Sequence, residues 1–224
     1  ATGDERFKEK MDLDIQVSKL RVLKQSYLSE HYDLEDRILK FYPQTIKEYE
    51  ERIAGYESDT ALAEQHKPQG EDKFCPMTIK GATFTEKAAA GEMLLAVCKE
   101  NTLANPVEIG SYRGFRMEVY YDTLNTHYCL NLCGKAKHKV ELGSDALGNL
   151  TRIENELAKI PVKLEVAKTK RTETIKQLQT AKAEVEKPFA FEDELREKTG
   201  RLNALNIELN LNEKDRSVMD TEPD

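Results

Sequence analysis

The chain has 224 residues, with 34 Lys and Arg against 41 Asp and Glu, a formal net charge of -7, 39% hydrophobic residues and no Trp. That apolar share is enough to fill a core and excludes a disordered chain. The acidic balance excludes a wholly cationic nucleic-acid coat, and no apolar run approaches the ~18 residues of a spanning helix. No basic, apolar signal peptide opens the sequence.

Charge and composition divide the chain. Residues 1–75 carry a balance of -5, residues 76–146 a balance of zero and residues 147–224 a balance of -2. More than half of the eleven Gly fall between Gly81 and Gly143, and all four Cys fall between Cys75 and Cys133. This predicts a small Gly-containing domain between two charged helical arms.

In the first arm, Leu13, Val17, Leu20, Lys24, Tyr27, His31, Leu34, Ile38 and Phe41 alternate at spacings of four and three, a heptad seam with two polar interruptions. Tyr42-Pro43 is expected to break this helix, because Pro lacks an N–H and disfavours helix at the residue before it. A second series follows at Ile46, Tyr49, Ile53, Tyr56, Thr60 and Ala63, and Lys67-Pro68-Gln69-Gly70 reads as a linker.

In the middle segment, Met77–Ile79 reads as a strand, and Thr85 opens a helix to about Lys99 with Ala89, Met93, Leu94 and Val97 as its apolar face. Pro106–Ile109 reads as a strand ending at a Gly110 turn. Three alternating runs follow, around Phe115–Tyr121, Tyr128–Cys133 and Lys139–Leu142. They predict an antiparallel meander with one apolar face, covered by the Ala-rich helix.

The last arm carries a seam from Leu150 to Val185, with Pro161 expected to divide or kink it, then a break at Lys187-Pro188-Phe189. A final helix holds Leu195, Leu202, Leu205 and Leu209. Neither arm buries its seam alone, so the two are expected to pair antiparallel. The predicted fold is α+β: an antiparallel helical coiled-coil stalk with an inserted small head of antiparallel β-meander plus one helix. Its parts are an arm at 1–66, a head at 67–147, an arm at 148–213 and a disordered tail at 214–224.

Phosphate-loop, dinucleotide, H-E-x-x-H and G-x-S-x-G motifs are absent from the sequence, as is the Asp/Asn-Pro-Pro-aromatic motif of amino-methyltransferases. No catalytic residue is therefore assigned. His127, Cys129, Cys133 and His138 raise the question of a metal, but Cys129 and Cys133 lie about 13 Å apart along a strand, too far for one zinc, and no metal site is expected. The best candidate binding surface is basic: Arg113, Arg116, Lys135, Lys137 and Lys139 beside His138, with Tyr112 and Tyr120 near in sequence. Arg and Lys can meet phosphates and aromatic rings can stack on bases. The bland alternative is an ordinary charged sheet face that includes Glu118 and Glu141.

Several runs resemble one family. They are Ala1-Thr2-Gly3 with Lys8–Asp14, Val17–Leu23, Tyr42-Pro43-Gln44, Gly110–Phe115, Gly148–Ile153 and Ala183–Phe189. They resemble the segment after the helicase core in large superfamily-two, Snf-like DNA helicases of bacterial conjugative elements, often fused to an adenine-specific DNA methyltransferase. The resemblance implies a non-catalytic, cytoplasmic C-terminal module. ATP and Mg are expected in the parent protein and no cofactor in this segment. The expected partners are DNA at the head and other domains of the parent helicase, with self-association through the arms and no membrane. The start at Ala1 fits a piece of such a parent. The alternative is a structural or protein-interaction module without DNA binding.

Overall fold

A computed structural model describes residues 2–69, 74–100 and 104–219. The fold is α+β. In chain order it contains α1 (Thr2–Asp36), a π-helical turn (Arg37–Phe41), α2 (Tyr42–Gln65), β1 (Met77–Ile79), β2 (Ala82–Phe84) and α3 (Lys87–Glu100). It continues with β3 (Val107–Tyr112), β4 (Phe115–Asp122), β5 (His127–Cys133), β6 (Lys137–Glu141), α4 (Ala146–Val185) and α5 (Glu192–Met219). Among the described residues no helix is long and apolar enough to cross a membrane. The chain forms two compact units: the residues up to Pro43 with those from Lys176 onward, and Gln44–Ile175.

In the first unit the heptad seam of α1 meets α5. Val17 and Leu20 are buried with Leu195 and Leu202, and Leu13 and Phe189 pack at the margin. Each such side chain contributes about 1.5–3 kcal/mol on burial. Glu9 takes both Nε and an Nη of Arg201, at 2.8 and 3.0 Å, and Lys24 pairs with Glu192 at 2.8 Å. These pairs run in opposite order along the two helices, so the packing is antiparallel. Lys24, a polar interruption of the seam, thus has a specific partner. Tyr27 donates to the Lys187 carbonyl at 2.7 Å, in the Pro188 break between α4 and α5.

Tyr42-Pro43 does not end the helix. The Tyr42 N–H reaches back to the Arg37 carbonyl, an i→i−5 bond, and α2 follows directly. Pro43 falls in the first turn after this change of register, where a missing N–H is tolerated. The extra residue also moves the seam: Tyr42 is 5% exposed, and Phe41, the expected seam position, is 50% exposed. Pro161 likewise lies inside an unbroken α4, so it does not divide that helix.

The second unit is built on a six-stranded antiparallel sheet of order β2-β1-β3-β4-β5-β6. Its inner face carries Phe115, Met117, Val119, Leu130, Leu132 and Val140, all buried, as the alternation predicts. The cover is broader than one helix. Ala90, Leu94 and Val97 of α3 are joined by Leu150, Ile153, Leu157 and Ile160 of α4 and by Ala63 of α2. The apolar face of α3 is rotated from the expected one, with Ala89 exposed and Ala90, Gly91 and Cys98 buried. Gly110 is no turn. It sits at a bulge within β3 with φ 154°, and a Cβ there would collide with the Thr78 carbonyl. Beyond the sheet, Ile53 packs with Leu164 and Ala167, while Glu50–Arg171 (3.3 Å) and Glu57–Lys168 (3.6 Å) run antiparallel along α2 and α4.

The head expected at 67–147 is therefore one part of a larger unit that includes segments of both arms. Helix α5 extends to Met219, into the tail expected from 214, and residues 220–224 lie outside the described residues, as does Gly70 of the expected linker.

A buried polar clasp joins α2 to the sheet. The Asp59 carboxylate accepts the Lys135 N–H (2.7 Å), the Ala136 N–H (2.9 Å) and His138 Nε2 (2.8 Å). The Asp59 and His138 side chains are 1% and 0% exposed. A Cβ at Gly134 would strike this carboxylate, which explains a Gly in the β5–β6 turn.

Candidate functional site

The structure separates the basic residues singled out in the sequence. Tyr112 is buried, and its hydroxyl donates to Glu154 Oε1 at 2.5 Å. Burial, then Glu154, push its ionisation far above the ordinary tyrosine value. Arg113 occupies the β3–β4 turn at φ 49°, and its side chain is 8% exposed. Its guanidinium donates to the His66 carbonyl (3.0 Å), the Ala63 carbonyl (2.6 Å) and Glu154 Oε2 (2.7 Å). Two of these acceptors are carbonyls at the end of α2, where a cation is favourable. Tyr112 and Arg113 thus form an internal clamp on Glu154, and the donors of Arg113 are already engaged.

Arg116, Tyr120, Lys137 and Lys139 do share one sheet face, because their strands are in register. Arg116 pairs with Glu108 (3.2 Å) and Glu118 (2.9 Å), Lys137 with Glu118 (3.2 Å) and Lys139 with Asp122 (3.4 Å). Burial raises the Glu118 pKa, but hydrogen bonds from Lys137 and Cys133 and the charges of Lys137 and Arg116 outweigh it and hold it below the usual glutamate value. The face is a charge ladder whose cations already have carboxylates. Tyr120 is half-buried, and Lys135 lies exposed in the β5–β6 turn.

A stronger concentration of available positive charge lies where β6 faces α4. A polar cleft of about 640 Å³ is lined by Lys139, Arg152 and Lys159, with His127, Glu141 and Glu156. Glu156 is taken by Lys163. Arg152 is held by neutral oxygens, the Glu141 carbonyl at 3.4 Å and Asn149 Oδ1 at 3.5 Å. Among the described residues no carboxylate forms an ion pair with Arg152 or Lys159. Seven residues apart, they lie on one helix face about 10 Å from each other.

Local bonds fix this cleft. Asn149, fully buried, accepts the Gly143 N–H at 2.7 Å and donates to the Gly143 carbonyl at 2.9 Å. Asp145 accepts the Gly148 N–H at 2.7 Å, capping the start of α4. The turn from β6 into α4 is therefore rigid on both sides. Arg152 and Lys159 were not singled out in the sequence. Glu156 stands at helical spacing from both and suggests a neutralised face, and only the fold gives Glu156 to Lys163.

At the end of the β4–β5 hairpin, ligand atoms of Asp122, His127 and Cys129 all lie within 4.8 Å of one another. Cys133 is not part of this group; its thiol reaches the Asn131 carbonyl at 3.9 Å. His138, grouped with the basic surface in the sequence, points inward to Asp59.

Compared with known proteins, the chain matches no family model, no curated protein and no solved structure.

Proposed function

We propose that the chain is a non-catalytic module of a mobile-element DNA helicase and that its sheet unit engages the nucleic-acid backbone at the cleft between β6 and α4. The observation that carries this reading is the pair Arg152 and Lys159, which form no ion pair with a carboxylate among the described residues, in a polar cleft beside Lys139, itself paired with Asp122. Such cations fit phosphates, and phosphate contacts position a protein without reading sequence. The resemblance in Gly110–Phe115 and Gly148–Ile153 supports the helicase context, with ATP hydrolysis and methyl transfer assigned to other parts of the parent. The seam spacing and the α1–α5 pairing support reading that helix pair as a coiled coil that serves as a stalk.

Fluorescence anisotropy with duplex DNA over a salt series tests the cleft. Every phosphate that the protein ceases to neutralise flattens the dependence of log affinity on log salt by about 0.9. Arg152→Ala with Lys159→Ala should weaken binding and flatten the slope by up to about two. Arg116→Ala with Lys137→Ala, whose cations are already paired, should change both much less. Wild-type affinity and slope in the first double variant would remove the cleft from this role.

A second reading, a self-association module, has its own support. Phe7, Met11, Ile15 and Val22 share an arc of α1 and are each more than half exposed. Sedimentation of the chain with Ile15→Lys distinguishes it, since a dimer built on that arc would dissociate.

A further inference from the structure

We propose that Asp122, His127 and Cys129, with Glu141 as fourth ligand, form a zinc site at the end of the β4–β5 hairpin. The sheet register creates it. Asp122 pairs with His127, and Cys129 stands between Tyr120 and Glu141 on neighbouring strands. All of these residues therefore face the same side of the sheet.

The donor atoms of Asp122, His127 and Cys129 are mutually within 4.8 Å, and Glu141 Oε1 lies 3.8 Å from His127 Nε2. Bonds of 2.0–2.3 Å in a tetrahedron place ligand atoms roughly 3.3–3.8 Å apart. The donors of Asp122, His127 and Cys129 thus lie within about 1–1.5 Å of tetrahedral spacing, and the exposed Glu141 side chain completes the set by rotation about its own torsions.

The imidazole is already arranged as a ligand. Its Nδ1 lies 3.1 Å from the Asn125 carbonyl and, as the N–H tautomer, donates to it. That leaves the lone pair on Nε2, which is buried and has no hydrogen-bond partner. A carbonyl behind one ring nitrogen, orienting the other toward a metal, is the usual support of a ligating His. Asp122 is oriented in the same way: its Oδ1 accepts the N–H groups of Leu124 (3.1 Å) and Asn125 (3.2 Å). Its Oδ2 accepts from Asn125 Nδ2 at 3.1 Å and from Lys139 at 3.4 Å; a metal would replace the longer Lys139 contact.

The donor set chooses the ion. Thiolate with imidazole favours zinc or cobalt over magnesium or calcium. Binding converts the Cys129 thiol to a metal thiolate and releases its proton to solvent. The two carboxylates and the thiolate are then balanced by the divalent ion and Lys139. His127 also lines the cleft between β6 and α4, which provides a path of entry.

The test uses the whole chain after chelator treatment. Co²⁺ is added to it first and Zn²⁺ afterwards. One equivalent of Co²⁺ should give a thiolate-to-cobalt band in the near ultraviolet with intense visible absorption, and Zn²⁺ should erase both. Cys129→Ser should lose the thiolate band, and Cys75→Ser and Cys133→Ser should keep it. His127→Gln, at a partly exposed position, should weaken binding by at least about 10-fold while circular dichroism stays unchanged. No thiolate band at one equivalent, a band that survives in Cys129→Ser, or unchanged affinity in folded His127→Gln would each overturn the site.

Discussion

Asp59 Oδ2 and His138 Nε2 lie 2.8 Å apart inside the second unit, and the same carboxylate accepts the N–H groups of Lys135 and Ala136. One side chain from α2 thus satisfies two donors of the β5–β6 turn and one of β6. Asp59→Ala leaves all three without this partner in a buried site and should cost about 3–5 kcal/mol. Glu57→Ala, two residues away in an exposed pair with Lys168, should cost under ~1 kcal/mol. Urea unfolding followed by a probe in the sheet measures both. Equal, small effects would show that the clasp contributes little.

Gly110 and Gly81 both have positive φ, at 154° and 81°, but only Gly110 lacks room for a side chain. Gly110→Ala adds backbone strain to overpacking against the Thr78 carbonyl and should cost about 2–4 kcal/mol. Gly81→Ala adds strain alone and should cost about 1 kcal/mol. Thermal unfolding of the two variants would rank them, and the reverse order would contradict the bulge geometry.

The Arg201 guanidinium, by hydrogen bond and charge, holds the Glu9 carboxyl below the usual glutamate value. A depressed acid stabilises the fold above its unfolded pKa, and that contribution is lost as pH falls through the lower folded value. The α1–α5 contact should therefore keep this pair at neutral pH and lose it in acid, below the ordinary glutamate titration. An NMR titration of the Glu9 side chain should show the low midpoint, and Arg201→Ala should return it to the ordinary value. Identical midpoints in the two proteins would remove the pair.

Burial pushes the Cys98 thiol up to about 11, and the side chain is 1% exposed. Cys75 is only partly covered. Since the thiolate is the reactive form, an alkylating reagent at neutral pH should label Cys75 well before Cys98. Peptide mapping over time gives the order, and early labelling of Cys98 would show that α3 opens readily.

Periodicity made much of the fold legible. Leu13, Val17 and Leu20 mark the face of α1 that packs, and Phe115, Met117 and Val119 mark the inner face of β4. What stayed hidden depends on partners far away in sequence or on local backbone irregularity. The shift from Phe41 to Tyr42 follows from a π turn that leaves no heptad signature. Arg113 looks like an available cation, yet the carbonyls of Ala63 and His66 occupy it. His138 looks like part of a basic run, although its alternation with Val140 already places it inside. Asp122 and Cys129 meet only because a hairpin folds one strand against the next.

The sheet order also sets an order of events during synthesis. Each strand in β2-β1-β3-β4-β5-β6 pairs with a close chain neighbour, so hairpins can form in sequence as the polypeptide emerges. Asp59 is made 79 residues before His138, its partner in the clasp. Leu150, Ile153, Leu157 and Ile160, which close the inner face, come later still. A nascent chain whose sheet has emerged before α4 would have the part of its inner face under Leu150, Ile153, Leu157 and Ile160 still open, covered only by α3 and the end of α2, and at this stage the nascent protein would most need a chaperone.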